Sequence, residues 1–368
     1  MYESGTIAVL SGQRRMGKTS LAELVGKEMS ASGQLRWAML SVRETTEANF
    51  TSKLLGTVFH LREGHRMSSM LDRAVAFART IRLQPKVEAD ITGAVSFKFD
   101  TRRATTNPDA AAVYHDILET LERIPAEKGR NAALVLDEFQ DIMKSAPLFP
   151  EVLKTRAGSG RGLAILIMGS SQHLMDELIN SPSAPLYRIG LQIALGPLPR
   201  EVVREEVRRR FGWNSVKVSD AVVDQLFDAC GGISQDIQLV CLNGLEDALR
   251  HSWKELTAER LDMVVHDVVE QNLDRFVDKW NQLTAIQRDV LVAVAEYGGH
   301  AVLGQDFIRR INPARPPLPA TVRRSVLAMV DKDILESGPP EGYRFKDALL
   351  GYYVRRIVAN TSVGSMPG

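Results

Sequence analysis

The stretch "IAVLSGQRRMGKTSLAELVGKEM", Ile7 to Met29, decides how the rest of the chain is read. Ile7-Ala8-Val9-Leu10 is a short apolar run of the kind that forms a strand buried on both faces. Gly12-Gln13-Arg14-Arg15-Met16-Gly17-Lys18-Thr19 then fits G-x-x-x-x-G-K-[ST], and Ser20 to Val25 continues as an amphipathic helix. Each part has a task in holding a phosphate. Glycines let backbone N–H groups converge on the anion, and a helix start adds its dipole. Lys18 is suited to the β- and γ-phosphates, and the Thr19 hydroxyl to Mg²⁺. Gly12, Arg15, Met16, Gly17, Lys18, Thr19 and Ser20 are therefore the candidate contacts for ATP.

A phosphate loop needs a second, acidic strand. Asn131 to Asp141 reads "NAALVLDEFQD", with four apolar residues, Ala133 to Leu136, running into Asp137-Glu138. A carboxylate at the end of a buried strand can hold Mg²⁺ through water, and the next can orient and activate the attacking water. A strand that merely ends in solvated acids is the competing reading, and the first motif decides between them. Asp137 is the metal candidate and Glu138 the catalytic base. A third apolar run, Leu163 to Met168, leads into Gly169-Ser170-Ser171. Ligands meet the carboxyl ends of strands in an open parallel sheet. Ser170 or Ser171 is thus a candidate sensor of the γ-phosphate, against the plain alternative of a loop serine.

With 368 residues, two or three domains are expected. The 46 basic and 45 acidic side chains nearly cancel, so any nucleic-acid surface must be a local patch. The two cysteines, Cys230 and Cys241, fit neither a disulfide framework nor a zinc site and suit a reducing compartment. No apolar run is long enough to cross a bilayer and no signal peptide is evident, so no membrane is expected and the cytoplasm is the expected location.

Alternation of strands and helices from Thr6 to about Leu195 predicts a doubly wound α/β domain. Val87–Ile91 and Val95–Phe99 alternate apolar and polar around Thr92-Gly93-Ala94, the pattern of a β-hairpin inserted into that domain. After Gly196-Pro197-Leu198-Pro199 the sequence is helical to about Trp280. Its charge run, Arg204 to Arg210, reads as a solvated helix face with i,i+4 pairs. From about Leu283 three helices precede Ile334–Ser337, a Gly-Pro-rich turn and Tyr343–Phe345, the order of a winged helix.

On "GQRRMGKTSL", "VLDEFQ", "MGSSQHLMDEL", "SAPLY", "GGISQDIQ" and "YRFKDALLGYYVRR", the chain resembles the AAA+-related archaeal-type P-loop ATPases. These lie near the STAND signalling ATPases and the origin-recognition initiators. The resemblance implies an α/β P-loop core over residues 1–196, a helical lid over 197–280 and a winged helix over 281–368. It also implies an ATPase using ATP and Mg²⁺. Arg188 matches the family's γ-phosphate-sensing arginine in a shifted motif, Pro185-Leu186-Tyr187-Arg188-Ile189-Gly190, acting in cis or from a neighbouring subunit. The family usually has a helix before the first strand and an arginine in the lid. Here the strand starts near Met1, implying a truncated chain or adenine held by the lid, and Ser234-Gln235 follow Gly231-Gly232-Ile233 where the arginine is expected. Slow turnover is therefore expected.

Two outputs are open. Phe307 to Val330 holds Arg309, Arg310, Arg315, Arg323 and Arg324 and no carboxylate, which suits double-stranded DNA gripped through Arg323 and Arg324. The alternative is a signalling or scaffold ATPase, for example in host defence, whose winged helix contacts its own chain or a protein partner. Self-association fits either.

Overall fold

The continuous apolar runs near the start, middle and end of the first half become neighbouring strands because a parallel sheet buries both of its faces. In the computed structural model, which describes residues 7–43, 45–63, 85–89, 95–99, 110–128, 131–156, 162–338 and 342–358, the chain divides into two compact units, Met1–Gly196 and Pro197–Gly368.

The first unit contains β1 (Ile7–Ser11), α1 (Lys18–Ala31), β2 (Leu35–Ser41), α2 (Glu47–Glu63), β3 (Pro85–Ala89), β4 (Val95–Phe99) and α3 (Ala110–Lys128). It continues with β5 (Asn131–Asp137), a 3-10 turn (Phe139–Asp141), α4 (Ile142–Ser145), α5 (Phe149–Arg156), β6 (Leu163–Gly169), α6 (Gln172–Ile179) and β7 (Leu191–Ala194). The sheet is parallel, in the order β2-β5-β6-β1-β7. Successive residues of a strand face opposite sides. Val9, Leu134, Leu136 and Ile167 therefore join the core that includes Phe50, Tyr114 and Phe149, while Leu10, Val135 and Met168 pack with Ala22 of α1 on the other face. Gly26 lets α1 approach closely, since a Cβ there would lie 2.4 Å from the Trp37 ring. β3 and β4 pair antiparallel, Val87 opposite Phe97. The turn expected at Thr92–Ala94 and the polar loop expected at 102–108 lie outside the described residues.

The order of strands positions the site. β6 runs between β1, which leads into the phosphate-loop motif, and β5, which ends in the acidic pair. All three strand ends therefore meet at one edge.

The second unit opens with α7 (Arg200–Gly212), β8 (Lys217–Val218), α8 (Asp220–Cys230), α9 (Ser234–Arg250), β9 (Glu255–Leu256), α10 (Ala258–Gln271) and α11 (Leu273–Asn281). It continues with α12 (Ala285–Tyr297), β10 (Gly299–His300), α13 (Gln305–Ile311), α14 (Pro319–Asp331), β11 (Leu335–Gly338), β12 (Gly342–Phe345), α15 (Ala348–Tyr353) and a π-helical turn (Val354–Val358). Side-chain caps fix several starts: Ser219, Thr257 and Asp347 each accept from a backbone N–H, and Thr284 forms a capping box with Gln287. β10, β12 and β11 form a small antiparallel sheet in that order.

One hydrophobic cluster runs through the unit from Val203 to Val354. Phe276 of α11 stacks on Tyr353 of α15 with ring centroids 5.7 Å apart. The buried Asp347 caps α15 and pairs with Arg275, with Lys279 at 3.8 Å. Such a carboxylate is tolerated because both cations and a backbone N–H compensate its lost hydration. Among the described residues no helix is long and apolar enough to cross a membrane.

Candidate nucleotide site at the carboxyl edge of the sheet

Between β1 and α1 the chain must turn sharply enough to aim successive N–H groups inward. It does so with positive φ at Arg15 (70°) and Gly17 (88°), the second costing little because glycine has no Cβ. Gly12 is required for space: a Cβ would meet the Leu195 carbonyl at 2.7 Å. Met16 is buried and anchors the loop, whereas Thr19 and Ser20, in the first turn of α1, are exposed. Lys18 is buried, and its Nζ donates to the Gly12 carbonyl at 2.7 Å and the Gln13 carbonyl at 2.8 Å. The ammonium thus lies in the hollow of the loop, on the side an anion would occupy.

The acidic strand closes the site from the other side of β6. Thr19 Oγ1 donates to Asp137 Oδ2 at 2.8 Å, joining two residues 118 positions apart. A hydroxyl and a carboxylate are the hard oxygen donors that Mg²⁺ prefers when it also keeps water and phosphate ligands. No group of three or more His, Cys, Asp and Glu able to hold a metal occurs among the described residues. Thr19 and Asp137 therefore fit the cation that the motif implies.

Glu138 adopts a left-handed backbone, φ 53° and ψ 42°, a conformation that costs a non-glycine residue roughly 1–2 kcal/mol. The turn swings its side chain toward the end of β6. There Glu138 Oε2 accepts from Ser170 Oγ at 2.7 Å and from Gln140 Nε2 at 2.5 Å. Gln140 Oε1 in turn accepts from the Ser170 backbone N–H at 3.3 Å. Burial pushes the Glu138 carboxyl up, yet these hydrogen bonds, helped by the charges of Lys18 and Arg14, outweigh it and hold the group below the ordinary glutamate value. The carboxylate is thus ionised and oriented, as a proton acceptor must be.

Lys18, Thr19, Asp137, Glu138 and Ser170 are therefore brought together, and Gln140, which the motifs do not single out, joins them. Of the two serines, Ser170 makes the contact with Glu138; Ser171 instead precedes α6 as its N-cap. Arg188 is not brought to the site of its own chain. β7 runs parallel to β1 with Leu191 opposite Ala8, and Gly190 lies against the Ile7 carbonyl. Arg188 thus precedes the amino end of the sheet, separated from the carboxyl edge by the length of β1, on the order of 13 Å at strand rise. It is exposed, with φ 57° and its guanidinium 5.2 Å from the Tyr187 ring centre. The strand direction thus keeps Arg188 away from the carboxyl edge of its own chain, and a role from a neighbouring subunit is carried forward as an expectation.

No family model matches the sequence, and no curated protein matches it. Solved structures do. A Walker-type ATPase of Pyrococcus abyssi superposes with a TM-score of 0.59 over 95% of this chain and 90% of its own, at 14% identity. The ORC2 protein of Aeropyrum pernix, in ADPNP–ADP complexes, gives a TM-score of 0.53 over 99% and 90%, at 13% identity. At these identities the likeness is one of fold: an α/β fold with a five-stranded parallel sheet, of the kind that the Walker-type ATPase and the ORC2 protein have.

Proposed function

We propose that this protein binds ATP and hydrolyses it slowly as a switch. The observation that carries the reading is the convergence of Lys18, the Thr19–Asp137 contact and the ionised Glu138 at the carboxyl edge of one parallel sheet. Thr19 and Asp137 would hold Mg²⁺, which when bound neutralises phosphate charge. Lys18 and the backbone N–H groups of Gly12 to Ser20 hold the phosphates. Glu138 takes a proton from the attacking water, and Ser170 orients Glu138 near the γ-phosphate. An adenine nucleotide is favoured because the Aeropyrum structure carries ADPNP and ADP. The test is ATP binding and phosphate release by wild type and Lys18→Ala. Loss of both in the variant is expected, by about a hundredfold or more, since the loop loses its β,γ-phosphate cation. A variant that binds and hydrolyses ATP like wild type would defeat the reading.

In this reading residues 1–196 are the ATPase core, with the hairpin near 87–99 as an insertion, 197–280 a lid and 281–368 a winged helix. The output favoured is double-stranded DNA. Arg309, Arg310, Arg315, Arg323 and Arg324 are all exposed, and among the described residues none forms an ion pair. Val322, Ser325, Val326 and Met329 form the buried side of α14, which leaves Arg323 and Arg324 outward for phosphates. If wild-type protein ignores duplex DNA at low salt, the same face becomes a docking surface for a protein in a signalling or scaffold ATPase.

A further inference from the structure

Beyond the motif residues, the polar cluster at the end of β6 contains an amide whose orientation is chemically fixed. The Ser170 backbone N–H can only donate, so it must meet the Gln140 carbonyl oxygen, as it does at 3.3 Å. The amide nitrogen is then forced toward Glu138, where it donates to Oε2 at 2.5 Å. Ser170 Oγ donates to the same oxygen at 2.7 Å. Both donors reach Oε2, the amide nitrogen also donating to Ser170 Oγ at 3.5 Å, and among the described residues Oε1 accepts from neither. Space for the amide depends on Gly169, where a Cβ would lie 2.8 Å from Gln140 Oε1. The 3-10 turn Phe139–Asp141, pinned by the fully buried Phe139, supplies the backbone that aims Gln140 inward.

We propose that Gln140 is a positioning residue: anchored on the Ser170 backbone, it clamps one oxygen of Glu138 and presents the other, Oε1, to the attacking water. The inference rests on the ATPase reading above and adds to it what holds the base in place. A backbone of left-handed φ gives Glu138 no rotameric support from a regular strand or helix, so the clamp sets its direction. Misplacement of a catalytic group by about 1 Å can cost on the order of 10²-fold in rate.

Two substitutions remove the donor while keeping the length of the side chain: Gln140→Met, which is apolar, and Gln140→Glu, which sets a carboxylate against Glu138. Single-turnover ATP hydrolysis at saturating nucleotide is read beside affinity for a fluorescent ATP analogue and thermal unfolding. Both variants should lose about 10- to 100-fold in the hydrolysis rate, with affinity within about twofold of wild type. In a Glu138→Gln background, Gln140→Met should add almost nothing, because the group it aims is already gone. Wild-type turnover in both variants overturns the inference, as do rate, affinity and melting temperature falling in parallel, the signature of a merely structural amide. Wild-type protein that binds ATP without ever hydrolysing it overturns the ATPase reading as well, whereas wild-type-like turnover in Gln140→Met and Gln140→Glu overturns the clamp alone.

Discussion

The phosphate loop and the pair of helices α13 and α14 both gather positive charge, and they do it in opposite ways. In the loop a single buried ammonium, Lys18, is held by two carbonyls 2.7 and 2.8 Å away, and carboxylates stand across the site at fixed places. On α13, α14 and the loop between them five guanidiniums face solvent with no ion pair among the described residues. Arginine-rich helices are not always so. On α7, Arg204 binds Asp224 at 2.6 Å, Arg209 binds Glu206 at 2.7 Å and Arg208 meets Asp220 at 3.1 Å. That face is paired, Arg210 with Glu206 at the i,i+4 spacing read from the sequence and Arg204 and Arg208 with aspartates of α8, which that spacing does not foretell. On the proposed reading the first region would recognise by placement and the second by uncompensated field, and the contrast predicts different sensitivities. Placement fails when one atom is lost; a field weakens in proportion to charge and to salt.

The largest effect should come from the placed region. Glu138→Gln keeps the size of the side chain but cannot take a proton, so turnover should fall by up to about 10⁴-fold while ATP affinity stays near wild type. Steady-state hydrolysis together with nucleotide titration checks this. Undiminished turnover would move the base elsewhere and dissolve half of the contrast.

Next is whether the placed site is complete within one chain. Arg188 lies beyond the amino end of the sheet, so its only route to a γ-phosphate is another subunit's site. Arg188→Ala should then lower turnover by about 10³-fold, as loss of an arginine finger does, with little change in ATP affinity. Mixing it with Lys18→Ala subunits should restore part of the activity. A variant matching wild type ends that assignment.

The smallest effects belong to the field. Replacing Arg323 and Arg324 by Glu together should weaken duplex binding about 10- to 100-fold across unrelated sequences. It should also flatten the salt dependence by about two phosphate contacts. Hydrolysis without DNA should be untouched. Replacing Arg209 and Arg210 by Gln serves as the control and should change binding less than the Arg323 and Arg324 pair does, since both arginines already share the Glu206 carboxylate. Equal losses in the two pairs would mean that ion pairing does not distinguish the faces.

Much of the site was legible in the sequence because its parts are local. Gly12 to Thr19 is a contiguous motif between an apolar run and an amphipathic run, and Asp137-Glu138 ends a run of the same kind. Gln140 was not legible. An amide two residues from a glutamate has no pattern, and its contact arises only where Gly169 lets β6 come close. The direction of Arg188 was hidden for a similar reason: whether a residue precedes the amino or the carboxyl end of a sheet depends on the pairing of β7 with β1. The two-residue strands β8, β9 and β10 likewise carry no periodicity and exist through partners far along the chain.

Continuity of the core from Val203 to Val354 has a mechanical consequence. Phe276 on Tyr353, and Asp347 locked to Arg275, tie α11 to α15 across the chain position where a flexible joint would otherwise fall. Close-packed interiors deform little, so a load applied at the arginines of α14 would be expected to pass through this core rather than bend it near residue 281. The expected result is that the described residues of this unit turn together, the helices around Gly231 with the face that carries Arg323.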